Sequence, residues 1–242
     1  MKVALRKLSQ QGNLIICLVL SYLNKRIAIV LFSTFFSFYL LYNFKKDKKI
    51  GEIKNMPGEI KSCCFTGYRP SKFPFKMDDA EPEFKKLENK LIDAVFSAAD
   101  EGCYTFYCGM AMGFDLIAAR AVLMLKEVYN KASISLVCAI PFVDQAEKFD
   151  EKWHKMYNEI ISFADNVILI SDNYFNGVYQ KRNEFMVDNS DYVITWYNGL
   201  SGGTKNTLKY ARRKGKKIVN LFEDGVHEYF AEPDYEIIAL DI

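Results

Sequence analysis

The 242 residues are 50% apolar and 15% aromatic, enough for one domain with a substantial core plus an appendage, and too apolar for a disordered chain. The formal charge of +2 hides an asymmetry: residues 1–58 hold 10 Lys/Arg against 2 Asp/Glu, which leaves 22 basic and 28 acidic residues, a balance of −6, for residues 59–242. That larger part has no overall pull on a polyanion, so broad nucleic-acid binding is not expected, and six cysteines without a C-x-x-C pair, beside two histidines, give no zinc site.

In chain order, the first element is the 18-residue uncharged run from Ile27 to Phe44. As a helix it is roughly 27 Å long, close to a hydrocarbon core of about 30 Å, and it predicts a transmembrane helix. Lys45, Lys46, Lys48 and Lys49 follow as a stop, and their excess over Lys25 and Arg26 places the downstream domain in the cytoplasm, anchored to the membrane. No small-residue cleavage pattern marks a signal peptide. A chain starting at Met56 would instead be cytoplasmic and soluble.

From residue 59 to 242, short apolar runs alternate with longer helical ones. The predicted strands are Ile60 to Thr66, Tyr104 to Cys108, Ser133 to Ile140, Asn166 to Ile170, Tyr192 to Trp196 and Lys217 to Phe222. The predicted helices are Glu81 to Ala99, Phe114 to Tyr129, Gln145 to Phe163, Val178 to Val187 and Lys205 to Lys214; Leu87, Leu91, Ala94, Val95 and Ala98 show the spacing of one buried face. The pattern predicts an α/β, Rossmann-like, mostly parallel sheet of about six strands with helices on both faces. Cys63, Cys64, Cys108 and Cys138 fall in the strand runs and read as core thiols in a reducing compartment. The acidic tail from Glu223 is expected to pack on the sheet edge.

Ligands of open parallel sheets sit beyond the carboxyl ends of strands, and three turns there carry chemistry. After the first strand, Thr66 offers a hydroxyl, Gly67 permits close approach, and Arg69 can hold a phosphate through paired hydrogen bonds; an ordinary turn with an exposed arginine is the alternative. After the second, Gly109 to Asp115 opens a helix whose free N–H groups suit an anion, with Gly113 at the ligand's approach. Asp115 either caps that helix or accepts from a ribose hydroxyl. The spacing G-x-x-x-G-x-D is neither the dinucleotide fingerprint nor a P-loop, which disfavours a nicotinamide dehydrogenase. After the fifth, Gly202 and Gly203 free the backbone, and Thr204 can cap the last long helix and donate to a phosphate. The run Gln180, Lys181, Arg182, Asn183, Glu184 reads as a solvated helix face.

Together TGYRP, GMAMGFD, QKRNEFMV and SGGT, in this order over roughly residues 60–222, resemble the YpsA-like branch of the SLOG superfamily, which also holds the DNA-processing protein DprA and the LONELY GUY phosphoribohydrolases. The resemblance implies a Rossmann-like fold and a nucleotide pocket formed by the turns at Gly109 to Asp115 and Gly202 to Thr204. It implies binding or sensing of a nucleotide, ADP-ribose or a dinucleotide. The LONELY GUY motif P-G-G-x-G-T-x-x-E is matched at Thr204, but Thr207 stands where its glutamate belongs; Arg182 resembles the arginine that precedes the motif, and Glu184 is the alternative source of a carboxylate. A nucleoside monophosphate N-glycosidase is thus the second reading. Single-stranded DNA binding, by resemblance to DprA, is the third: Tyr174, Phe175, Trp196 and Tyr197 offer stacking surfaces, but no positive groove is evident.

Overall fold

The computed structural model describes residues 61–128 and 134–222 and the strand His227–Tyr229. The chain divides into two units, Met1–Met56 and Pro57–Ile242, and the described residues all belong to the second. The expected membrane helix over 27–44 lies outside the described residues; among those described, no helix is long and apolar enough to cross a membrane.

Strand β1 (Lys61–Thr66) is followed by a single 3-10 turn at Pro70–Lys72 and by helix α1 (Pro82–Asp100). Then come β2 (Cys103–Cys108), α2 (Phe114–Val128), β3 (Ser135–Ile140), α3 (Glu151–Phe163), β4 (Asn166–Leu169), α4 (Val178–Asp188), β5 (Tyr192–Thr195), α5 (Gly203–Arg213), β6 (Lys217–Asn220) and β7 (His227–Tyr229). The seven strands lie in the order β4-β3-β2-β1-β5-β6-β7, and every pair but β6/β7 is parallel. The seventh strand is an antiparallel edge supplied by the tail, beyond the six strands read from the sequence.

Local chemistry accounts for most boundaries. Pro82 opens α1, where a missing N–H costs nothing, and Phe84, Leu87, Leu91, Val95 and Ala98 form its buried face. The α3 helix starts at Glu151 and not at Gln145 as the sequence predicted. Asp150 takes the N-cap position and accepts from the N–H of Trp153 at 3.1 Å, leaving 141–149 as a chain of turns. Strand β4 departs from the expected strand covered on both faces: as the sheet edge it leaves Val167 44% and Leu169 43% exposed.

Two cores cover the sheet. Cys64, Val193 and Ile218 share one register row and pack with Met186, Val187, Leu208 and Ala211 of α4 and α5. Strand alternation turns Phe65 and Phe106 to the opposite face, where their rings stack at 6.0 Å and 9° on the side of α1 and α2. The five described cysteines are free and buried, and burial pushes the thiols of Cys64 and Cys138 up to about 12.

Chain order runs outward from β1 through β2, β3 and β4, then returns to the other side of β1 at β5. The reversal places a topological switch point between the carboxyl ends of β1 and β5. The loops after β1 and β5 flank that switch point, and the loop after β2, the other neighbour of β1, lies at the same edge.

Candidate functional site

The loop after β1 is the keystone of this edge. Its Tyr68 carbonyl accepts from the N–H of Phe114 at 3.1 Å, and its Gly67 carbonyl accepts from the hydroxyl of Thr204 at 2.9 Å, so one loop holds both glycine turns. The Tyr68 hydroxyl donates to Asn198 Oδ1 at 2.8 Å and accepts from the N–H of Leu200 at 3.0 Å, and Lys72 Nζ donates to the Ser201 carbonyl at 2.7 Å. The sequence-predicted turns are brought together, but by contacts with each other. Thr66 is buried as the last residue of β1, beside Thr195. Thr204 does not cap α5, whose N-cap is Gly202, and its proton is committed to Gly67.

Beneath the second turn lies a buried ion pair that sequence reading did not anticipate. Arg182, expected on a solvated face, is 4% exposed. Its guanidinium Nη1 donates to the carbonyl of Gly109 and stands 3.7 Å from Asp115 Oδ2, while Nε donates to Asn183 Oδ1 at 2.7 Å. The same Asp115 oxygen accepts from the N–H of Ala111 at 3.3 Å. Burial raises the Asp115 carboxyl above its ordinary value, opposed by Arg182, by the Ala111 N–H and by Arg69; burial likewise lowers Arg182, opposed by Asp115. An arginine remains charged even so. Gln145, also buried, donates from Nε2 to the carbonyl of Met110 at 2.5 Å and of Gly109 at 3.3 Å, while its Oε1 has no partner among the described residues. Arg182 and Gln145 thus turn the carbonyls of 109 and 110 inward, and Met110 holds a positive φ of 57° to permit it.

The weak catalytic candidates fare differently from one another. Arg182 is a positioning residue of the turn, with no free guanidinium face at the surface. Glu184 is half-buried and accepts from Gln180 Nε2 at 2.9 Å. Thr207, at the position of the missing glutamate, is buried; its hydroxyl donates to the Gly203 carbonyl at 2.9 Å and accepts from Asn183 Nδ2 at 2.8 Å. It clasps α4 to α5.

The glycines separate by what their absent side chains would meet. At Gly67 a Cβ would overlap the ring of Phe114, at Gly109 the guanidinium of Arg182, and at Gly113 the Tyr68 carbonyl oxygen at 2.6 Å. At Gly202 it would meet Lys72 Nζ at 2.5 Å, whereas at Gly203, the first residue of α5, nothing lies within 4 Å. The notion that Gly113 makes room for a ligand is corrected by this contact: the room is filled by the β1 loop. Gly203 is the site glycine with open space before it.

Arg69 is exposed and lies over the ring of Tyr179 at 5.5 Å; no carboxylate pairs with it among the described residues. Tyr179 in turn meets Phe142 and Tyr174. Lys72, Phe142 and Tyr179 were missed from sequence. Lys72 stands three residues past Arg69, and Phe142 two past β3, a position the rule of strand carboxyl ends singles out. A shallow, open concavity of about 750 Å³ lies beside the turns, lined by Pro70, Ser71, Phe73, Pro74, Phe75, Lys76, Met77 and Glu81. It holds none of the glycine turns.

A mostly parallel sheet with this strand order, a glycine turn at the start of α2 and an uncapped α5 at the switch point define a Rossmann-like α/β domain. The family model described as the YspA SLOG family, YpsA, matches residues 63–223, and the chain belongs to that family. Among curated relatives, the uncharacterized SPbeta prophage-derived protein YoqJ of Bacillus subtilis is 28% identical over 158 residues, 59% of this chain and 91% of that protein. A UPF0398 protein of Bacillus velezensis is 25% identical over 186 residues, 73% of this chain and 99% of its own length. Among solved structures, DNA processing protein A from Helicobacter pylori, described for its single-stranded DNA binding mode, superposes with a TM-score of 0.47 at 19% identity, covering 71% of this chain and 69% of that one. DNA processing protein A from Streptococcus pneumoniae gives 0.46 at 17%, over 66% and 50%.

Proposed function

We propose that the domain binds an anionic, nucleotide-derived ligand in the cleft between the carboxyl ends of β1 and β5, as a sensing or binding module. The observation that carries the reading is Arg69, an exposed cation without an acidic partner among the described residues. It stands on the loop that also ties down the uncapped α5 N-terminus at Gly203. The first N–H groups of such a helix lack intrahelical acceptors and favour negative charge. A glycosidase would need a carboxylate where Thr207 makes its two hydrogen bonds, and release of free base and ribose phosphate from a nucleoside monophosphate is not expected.

Thermal-shift screening of the chain against nucleotides, ADP-ribose and dinucleotides is the first test, since a ligand at 100 times its Kd adds about 2.7 kcal/mol. Arg69→Ala is expected to weaken the ligand so found by about 1.5–3 kcal/mol, the range for hydrogen bonds to charged groups. Arg120→Ala, on the exposed side of α2, is the control. Equal affinity of wild type and Arg69→Ala in calorimetry rejects the cleft.

For the N-terminal segment, we propose that residues 27–44 anchor the protein with this domain in the cytoplasm, on the strength of the uncharged run and its trailing lysines. Full-length protein is expected to sediment with membranes and to stay there in high salt. Its release by salt, or its recovery in the soluble fraction, would remove the proposal.

A further inference from the structure

Phe142, Tyr174 and Tyr179 come from three separate stretches: the turn after β3, the turn after β4, and the first turn of α4. Their rings meet edge-on as a triangle, with centroids 5.5 Å apart for Phe142 and Tyr174, 5.8 Å for Phe142 and Tyr179, and 6.3 Å for Tyr174 and Tyr179. Core aromatics do this routinely, but this triangle is not in the core: Tyr174 is 62% exposed and the other two are half-buried. Edge-on packing fixes each ring by the next, and the exposure of Tyr174 leaves its ring accessible to a stacking partner. Arg69 adjoins the triangle at one corner, over Tyr179 at 5.5 Å. The triangle is therefore joined through a single side chain to the phosphate-seeking loop after β1. A ligand that fits both halves carries a planar ring and an anionic group on one short scaffold.

Building on the anion-binding reading of the cleft, we propose that the triangle is a base subsite: the heterocyclic base of a small nucleotide stacks on Tyr174, while Arg69 reaches from the face of Tyr179 to the ligand's phosphate. The exposed charge of Arg69, which has no carboxylate in a salt bridge with it among the described residues, selects an anion, and the exposed ring of Tyr174 selects a base over a bare sugar phosphate. Every base has a π-face, so stacking contributes affinity without choosing among bases. Since Tyr174 lies at the surface and makes only ring contacts among the described residues, its replacement tests binding without endangering the fold.

The test is calorimetry on the full chain with four probes: inorganic pyrophosphate, ribose 5-phosphate, ADP-ribose and a 12-mer of oligothymidylate, for wild type, Tyr174→Ala and Tyr174→Phe. The expected result is ADP-ribose binding more tightly than pyrophosphate or ribose 5-phosphate in wild type. Tyr174→Ala should weaken ADP-ribose by about 5- to 150-fold, the span of single stacking contacts, with Tyr174→Phe close to wild type and pyrophosphate unaffected by either. Should pyrophosphate bind and ADP-ribose gain nothing over it, or should Tyr174→Ala be neutral, the base subsite is wrong while the anion cleft stands. If only the oligonucleotide binds, and in a Tyr174-dependent way, the small-nucleotide assignment is overturned in favour of a strand. Failure of all four probes removes the cleft and the subsite together.

Discussion

Replacing Arg182 with leucine is expected to destabilise the domain by about 3–5 kcal/mol at neutral pH, the range for breaking a buried ion pair by deleting one partner. Leucine keeps the apolar stem but leaves Asp115 as an uncompensated carboxylate, 5% exposed, and removes a donor from the Gly109 carbonyl. The loss should depend on pH in a definite direction. Burial already holds the Asp115 carboxyl above its ordinary value in the folded protein, and Arg182 is the largest influence pulling it down. A carboxyl whose folded pKa exceeds its unfolded one favours the fold at low pH, and that contribution disappears as pH rises through the folded value. Removing Arg182 raises the folded value further. The deficit of Arg182→Leu should therefore be larger at neutral than at acid pH, and shrink as pH falls toward the ordinary aspartate range near about 4. Urea unfolding followed by circular dichroism across that span measures it. Asp115→Asn in the same background should recover part of the loss at neutral pH and none at acid pH. A deficit identical at both ends would mean that the lost hydrogen bonds, and not the stranded carboxylate, set the cost.

That buried pair also shows where sequence reading stops. Helix α1 was legible because Leu87, Leu91, Ala94, Val95 and Ala98 repeat at three and four, and β1 because an apolar run ends in Thr-Gly. The parallel direction of the strands followed from the alternation of strand and helix runs, and their order did not. In α4, by contrast, Arg182 stands between Val178 and Met186 on the buried face, so the apolar stripe is interrupted and the run looks solvated. The partner that makes Arg182 buriable lies 73 positions away at Gly109, with Asp115 beside it, and no local pattern reports a pairing at that separation. The same limit governs Gln145, read as helix and found in a turn, where it holds the Met110 carbonyl from 35 positions away. The loops after β1, β2 and β5 could be placed together at the carboxyl edge of the sheet because parallel topology dictates it. The roles inside those loops were not, because a glycine in a sequence says only that a side chain is missing and never what occupies its place.

The glycines themselves give the sharpest test of that distinction. Gly113→Ala is expected to destabilise the domain, and Gly203→Val to leave stability unchanged while reducing ligand affinity. At Gly113 the backbone φ is +92°, a conformation that costs an L-residue about 1–3 kcal/mol, and the new methyl would sit 2.6 Å from the Tyr68 carbonyl oxygen that also receives the Phe114 N–H. The loop after β1 would have to move away from α2 and would carry Arg69 with it. At Gly203 φ is not positive and no non-neighbouring atom lies within 4 Å of an added Cβ, so a valine in the first helical position has space at its Cβ and gains on glycine in helix propensity. Its branched side chain would then stand over the N–H groups of α5, where the proposed phosphate must approach. Denaturant midpoints and calorimetry with ADP-ribose on the two variants separate the cases. An unchanged midpoint for Gly113→Ala would show that the β1 loop does not depend on its seat against α2. Wild-type affinity in a folded Gly203→Val would move the anion away from the α5 N-terminus and leave Arg69 to act from the other side of the cleft.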